Sequence, residues 1–231
     1  MPLHIGIVGC SAEGAALCFR TICMEAAQRL GPHAHPPVSM HTPSLADYVR
    51  ALEAGDRQAV ADLMIDSALR LQASGADFCI CPDNTIHQAF DLVAPHSPLP
   101  WLHIARVVAD EAARRGFRKV GVMGTPWLMA SDVYPRALQA RWIDHELPSE
   151  PQRQRLGSII MDELVGGIVR EASVDELRAT IGGLQSRGCD AVALACTELP
   201  LVLNDGNASV PTLDSTRLLA RAALDRAITG R

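Results

Sequence analysis

The apolar positions of this chain fall into short unbroken runs, and stretches with apolar residues at three- and four-residue spacing lie between them. Leu3-His4-Ile5-Gly6-Ile7-Val8-Gly9 is one such run, stopped by small residues, and residues 15–30 then carry helical spacing. The same grammar returns three times. A helix over 61–72 leads into Phe78-Cys79-Ile80-Cys81, one over 110–115 into Val120-Gly121-Val122-Met123, and one over 175–186 into Ala191-Val192-Ala193-Leu194. Strands apolar on both faces, alternating with amphipathic helices, predict an α/β fold of parallel sheets covered on both sides.

The two halves repeat one another. Ile5-Gly6-Ile7-Val8-Gly9-Cys10 resembles Val120-Gly121-Val122-Met123-Gly124-Thr125 at an offset of 115 residues, and Gly75-Ala76-Asp77 resembles Gly188-Cys189-Asp190 at an offset of 113. Strand segments repeating in one order at nearly one period predict two similar doubly wound parallel-sheet domains related by pseudo-twofold symmetry. Proline-rich breaks at 95–100 and 204–211 mark the crossings. Residues 1–96 plus 209–231, with a returning C-terminal helix from Ser215, then form the first domain, and 97–208 the second. A chain that crosses twice predicts a hinged cleft between the domains, with the active site in it.

Composition narrows the function. Of 231 residues, 48% are hydrophobic and 20% charged, which excludes a disordered chain. A net charge of -5 with no cationic block argues against nucleic acid or an anionic membrane as partner. Apolar runs such as Ala191-Val192-Ala193-Leu194-Ala195-Cys196 fall far short of the roughly 20 residues of a membrane helix, and the first residues show no secretory signal. Seven scattered cysteines, an odd number, read as reduced thiols of a cytoplasmic protein. Cys79 and Cys81 would point to opposite faces of a strand, and His33, His35 and His41 read as a solvated proline-rich loop, so no metal site is expected.

The duplication also singles out two residues. Asp83 lies eight positions after Gly75 and Cys196 eight after Gly188, each at the C-terminal end of an apolar strand and each before a helix. Ligands of open α/β sheets bind at such ends. Two opposed acid/base groups suit removal of a proton from one face of a carbon and return of one to the other, which is racemisation or epimerisation. Asn84, Thr85 and Thr197 follow directly, where backbone N–H groups at helix N-termini favour a carboxylate, and the threonines either cap those helices or donate to substrate. Cys10 and Ser11, at the first strand end, would line the same cleft. Each assignment has a structural counterpart. Cys196 also reads as a buried thiol and Asp83 as an N-cap; His87 either orients Asp83 or is an ordinary helix residue, and Glu198 either caps its helix or holds a substrate ammonium.

Gly75-Ala76-Asp77 with Pro82-Asp83-Asn84-Thr85-Ile86-His87, and above all Gly188-Cys189-Asp190 with Cys196-Thr197-Glu198-Leu199-Pro200, resemble the aspartate/glutamate racemase superfamily. The likeness spans nearly the whole chain, from Gly6-Ile7-Val8-Gly9 through Val120-Gly121-Val122-Met123-Gly124 and Tyr134 to Asp214-Ser215-Thr216. It implies a pseudo-twofold α/β isomerase, often a homodimer, that works at Cα of a small amino-acid or carboxylate substrate without cofactor or metal, through two cysteines. One is Cys196; where the other belongs, before Asn84-Thr85, this chain has Asp83. The family's Gly-Gly-Met-Gly loop is here Gly9-Cys10-Ser11-Ala12.

The exchange of thiol for carboxyl makes a base weaker by roughly 4.6 pKa units. Three readings stay open. A desolvated Asp83 donates a proton while Cys196 acts as thiolate base, in an amino-acid racemase or epimerase; Cys196 works alone through an enolate, as in decarboxylases of this superfamily or in an isomerase; or the chain is a non-catalytic small-molecule-binding homologue. Aspartate racemases carry Asp-Arg where this chain has Asp47-Tyr48, and Lys119, the only lysine, is remote from Val165-Gly166, which leaves Arg50 as a nearby cation and favours a neutral amino acid over aspartate.

Overall fold

The computed structural model describes residues 1–230. Its contacts divide it into two compact units, Met1–Ile104 with Thr216–Arg231, and Ala105–Ser215. In chain order the first unit holds β1 (Ile5–Val8), α1 (Ala12–Leu30), β2 (Val38–His41), α2 (Leu45–Glu53), α3 (Arg57–Ala73), β3 (Phe78–Ile80), a 3-10 turn at Thr85–Ala89, α4 (Phe90–Val93) and β4 (Trp101–Leu102). Then come α5 (Ile104–Arg114), β5 (Lys119–Gly124), α6 (Pro126–Met129), α7 (Val133–Gln139), β6 (Asp144–Glu146), α8 (Glu150–Ser158), a π-turn at Ile159–Glu163 and a 3-10 turn at Leu164–Gly166. The chain finishes with α9 (Glu171–Ser186), β7 (Ala191–Ala195), a 3-10 turn at Leu199–Leu201, β8 (Thr212–Asp214) and α10 (Ser215–Thr229).

Each unit has one parallel four-stranded sheet, of order β2-β1-β3-β4 in the first and β6-β5-β7-β8 in the second. The second order is the first with every strand advanced by four, so the repeat seen in sequence is a repeat of topology. Two details explain why those particular residues recur. Gly75 and Gly188 sit at φ +88° and +89°, past the ends of α3 and α9, where a side chain would be strained. Ala76 and Cys189 then donate back to Leu71 and Leu184 carbonyls at 3.0 and 3.1 Å, closing both helices in the same way. The following aspartates staple the edge of the central strands. Asp77 accepts from the His4 N–H at 2.7 Å, and Asp190 from the Arg118 and Lys119 N–H groups at 2.8 and 3.2 Å.

The strand glycines have a packing reason. A Cβ on Gly6 would lie 3.3 Å from Leu71 Cβ, and one on Gly121 would lie 3.3 Å from Leu184 Cβ, so a helix leucine is seated on the bare backbone in both sheets. β1, β3 and β7 are buried throughout, as expected of strands covered on both faces. Separate apolar clusters fill the units. One packs Tyr48, Met64, Leu71 and Phe90 around Cys79 and Cys81; the other packs Met123, Ile160, Ile181 and Leu184 around Leu194 and Leu199.

Several boundaries differ from the sequence reading, for local reasons. β4 pairs with β3, which keeps residues up to Ile104 with the first unit, and β8 pairs with β7, which keeps residues up to Ser215 with the second. Each crossing therefore lies later than the proline-rich breaks that precede it. His41 is in β2 rather than a loop, its Nδ1 3.0 Å from Ser67 Oγ, because the short strand needs only four residues to pair with β1. Among the described residues no group of three His, Cys, Asp or Glu side chains is placed to hold a metal, and no helix is long and apolar enough to cross a membrane.

Candidate active site

In the first unit the C-terminal ends of the adjacent strands β1 and β3 bring five of the singled-out residues to one sheet edge. After β1 come Cys10 and Ser11, 4% and 9% exposed. Ser11 is the N-cap of α1, its Oγ accepting from the Gly14 N–H at 3.2 Å, so its hydroxyl is committed to holding the helix start. After β3 come Asp83, half-buried, and then Asn84 and Thr85, both buried.

Asp83 is anchored through both its side chain and its backbone. Oδ1 accepts from the Ile86 N–H at 3.1 Å, the capping contact anticipated for it. Its carbonyl lies 2.6 Å from His87 Nδ1. A carbonyl only accepts, so Nδ1 carries the hydrogen, and Nε2 is left to accept from the Ile104 N–H at 3.5 Å. His87 is thereby held with a hydrogen on Nδ1, buried at 3% exposure and packed edge-on to His103 at 4.6 Å. It grips the backbone of Asp83.

The surroundings are largely buried. Burial pushes the Cys81 thiol well up, the Asp83 charge pushes it further, and a hydrogen bond from the Asp83 backbone N–H draws it partly back. The Tyr48 hydroxyl is likewise pushed up, first by burial and then by Cys81, Cys10 and Asp83. Tyr48 is thus a neighbour of this strand end and lies fully buried on α2. Arg50, weighed from sequence as a substitute cation, is on α2 as well, with its side chain 75% exposed and paired to Asp47 at 3.3 Å.

In the second unit the end of β7 carries Cys196, Thr197 and Glu198, all buried, at 6, 4 and 3% exposure. Cys196 Sγ donates to Glu198 Oε2 at 2.9 Å, and Thr197 Oγ1 donates to the same oxygen at 2.8 Å. Glu198 does not cap the turn that follows it, contrary to the capping reading, because its carboxylate is turned back to the thiol and the hydroxyl. Beside it, Ser215 Oγ donates to the Leu194 carbonyl at 2.9 Å, tying the start of α10 to β7. At the end of β5, Thr125 caps α6 by accepting from the Leu128 N–H at 3.2 Å, the counterpart of Ser11 in the first unit.

One expectation needs correcting in both units. The segments after Asp83 and Cys196 begin not with α-helices but with 3-10 turns of five and three residues. So few aligned peptides sum to a small dipole, so carboxylate binding there would rest on individual N–H and hydroxyl donors. A pocket of about 290 Å³ lies between α8 and α9, lined by Gln152, Leu156, Ile159 and Leu177 among others. Sequence reasoning underweighted His87 and passed over Thr125 and the burial of Tyr48. The i,i+4 spacing of His87 from Asp83 was the available signal for the first.

Known proteins resemble the chain over nearly its whole length. The family model described as Asp/Glu/Hydantoin racemase matches residues 6–223. A candidate Asp/Glu racemase from Yersinia pestis has a solved structure that is 30% identical and superposes with a TM-score of 0.90, covering 98% of this chain and 100% of that one. An aspartate racemase homologue from Pyrococcus horikoshii is 26% identical with a TM-score of 0.84, over 99% and 100% of the two chains. The broad specificity amino-acid racemase RacX of Bacillus subtilis is 25% identical over 172 residues, 73% of each chain. The two repeated sheets, the strand-end strings and a family match over almost the full length agree: the chain belongs to the Asp/Glu/hydantoin racemase family.

Proposed function

We propose that the protein is a cofactor-independent amino-acid racemase or epimerase in which Cys196 and Asp83 exchange protons with the substrate Cα. The observation that carries this is the placement of the two groups. They stand at topologically equivalent strand ends, β3 and β7, in a chain whose family is one of racemases. In the reaction one group takes the Cα proton, the C–H electron pair passes into the α-carboxylate as an enolate, and the other group delivers a proton to the opposite face. Asn84, Thr85 and Thr197 supply donors for the carboxylate, and Cys10 and Ser11 line the first strand end.

The substrate is a small, non-acidic amino acid. Tyr48 stands where aspartate racemases carry an arginine, Arg50 faces solvent with Asp47, and Arg170 is held by Glu163 at 3.2 Å. No strong cation is thus offered to a second carboxylate by these three residues. The broad specificity of RacX, a relative at 25% identity, supports a substrate range beyond aspartate. Seven free cysteines suit a reducing cytoplasm, and family analogy makes the protein a homodimer, which sedimentation checks.

The test is incubation with a panel of amino acids in D2O, followed at the α-proton by NMR. Racemisation gives exchange with inversion. Exchange with retention would replace it with a single-face catalyst, and ligands that bind without exchange would replace it with a binding protein. Cys196→Ala should abolish turnover, and surviving turnover would sink the assignment. Asp83→Asn should remove the second proton-transfer group, whereas Asp83→Cys should give faster and more symmetric turnover.

A further inference from the structure

The contact between Cys196 and Glu198 assigns a state, not only a position. A hydrogen bond from Sγ to a carboxylate oxygen at 2.9 Å needs a hydrogen on sulfur. Free thiols and glutamic acids titrate near 8.5 and 4.3, so between these two groups the proton belongs to sulfur. Burial strengthens the argument, because a thiolate formed here would stand beside a carboxylate with little water to separate the charges.

The Thr197 hydroxyl donates to the same oxygen, so both contacts converge on one carboxylate oxygen of Glu198. On neighbouring elements Asp214 ends β8, in register with Leu194, and Tyr134 on α7 has its ionisation opposed first by burial, while Arg136 on α7 is 3.7 Å from Asp132 and Arg217 stands at the start of α10. Lys119 starts β5, at the opposite end of that strand, and is bound to Glu146 at 2.9 Å.

We propose that Glu198 is a positioning residue that holds Cys196 as a protonated thiol in the resting protein, making Cys196 the proton donor and Asp83 the first base. This rests on the proton-transfer roles given to both residues above, and it reverses the order anticipated from sequence, in which Cys196 began as a thiolate. The half-buried Asp83 carboxylate, accepting the Ile86 N–H, takes the Cα proton. The C–H bond breaks, its electron pair enters the enolate, and the S–H bond of Cys196 breaks as its proton forms the new C–H bond. The thiolate left behind lies against Glu198 and regains a proton from solvent as Asp83 releases its own, which restores the starting state.

The experiment needs no substrate, so its failure is distinguishable from failure of the racemase assignment. Thiolate absorbance near 240 nm is titrated in the wild-type protein and in Cys196→Ser, the difference being the Cys196 thiol. A midpoint above about 8.5 is expected, and a midpoint below 7 overturns the proposal. Glu198→Gln removes the charge with little change of shape and should lower the midpoint by at least about half a unit; an unchanged midpoint in a folded variant, judged by circular dichroism, means that burial alone protonates the thiol and overturns it. If Glu198→Gln does not fold, Glu198→Asp draws the carboxylate back by one methylene and should lower the midpoint by less, and no movement again overturns it.

Discussion

Gly124 is the residue through which the second sheet most directly controls its strand end. A Cβ built there would lie 2.7 Å from Leu128 Cδ2 and 2.8 Å from the Ala195 carbonyl oxygen. The leucine can rotate away. The carbonyl cannot, because Gly124 and Ala195 are register partners in the β5–β7 ladder and the next residue is Cys196. Forcing a methyl into such a site costs about 1–3 kcal/mol. At about 2–4 °C per kcal/mol for a chain of this size, Gly124→Ala should lower Tm by about 2–12 °C. Activity should fall further than stability, by about tenfold at 20 °C, because the strain is relieved by moving the peptide that carries Cys196. Gly182→Ala supplies the contrast. It lies in α9 with no atom within 4 Å of the added Cβ, and it should stabilise by about 1 kcal/mol through helix propensity alone. Thermal melts by circular dichroism with initial rates decide the matter: a Gly124→Ala melt superimposable on wild type would refute the packing argument at this site.

Three further outcomes follow from contacts already described. His87→Leu leaves the Asp83 carbonyl and the Ile104 N–H without partners and should cost about 1–3 kcal/mol in urea unfolding; an unmoved midpoint would remove His87 as the anchor of this strand end. In the native protein at pH 8, iodoacetamide should reach the partly exposed Cys23 first, while Cys79, pushed up to about 12 by burial, and Cys81 stay unlabelled until unfolding; peptide mass spectrometry reads this, and equal labelling of Cys79 and Cys23 would contradict it. The hydrogen bond from Lys119 pulls Glu146 below the usual carboxylate range, so its stabilisation is complete above a pH of about 4.3 and is lost as pH falls through the lower folded value. Lys119, raised by the same bond, loses its share as pH rises through its folded value. Lys119→Met should therefore flatten both limbs of the Tm profile, and an unchanged acid limb would exclude the pair.

The architecture was legible because its causes are local. A positive-φ glycine, a stapling aspartate and a strand glycine under a helix leucine each need one residue type at one place, and the chain repeats all three. What surrounds the strand ends was less legible, because it depends on side-chain direction. Nothing in Cys-Thr-Glu says whether the glutamate turns forward to cap the next turn or back to the thiol, and it turns back. Tyr48 shows the same limit. Its place in the family pattern suggested a lost cation, whereas its burial against the Cys10, Cys81 and Asp83 end of the sheet is set by α2 packing, which a string comparison does not contain. The 3-10 character of both following turns escaped as well, since one turn of either helix type uses the same residues.

The duplication also fixes how the Asp83→Cys experiment must be read. The offset of 113 residues that pairs Asp83 with Cys196 pairs Thr85 with Glu198. Substituting a thiol for Asp83 would therefore give two like atoms in unlike settings, one followed two residues later by a hydroxyl and the other by a carboxylate that accepts its hydrogen. On the proposed roles, the introduced thiol, which lacks that carboxylate, keeps the part of base while Cys196 remains the donor. Turnover on those roles becomes faster because a thiolate is a stronger base than a carboxylate, and more symmetric than in the wild type, though not fully so. On the same proposal, removing the remaining bias takes a second change at Glu198, whose carboxylate accepts from the Cys196 thiol.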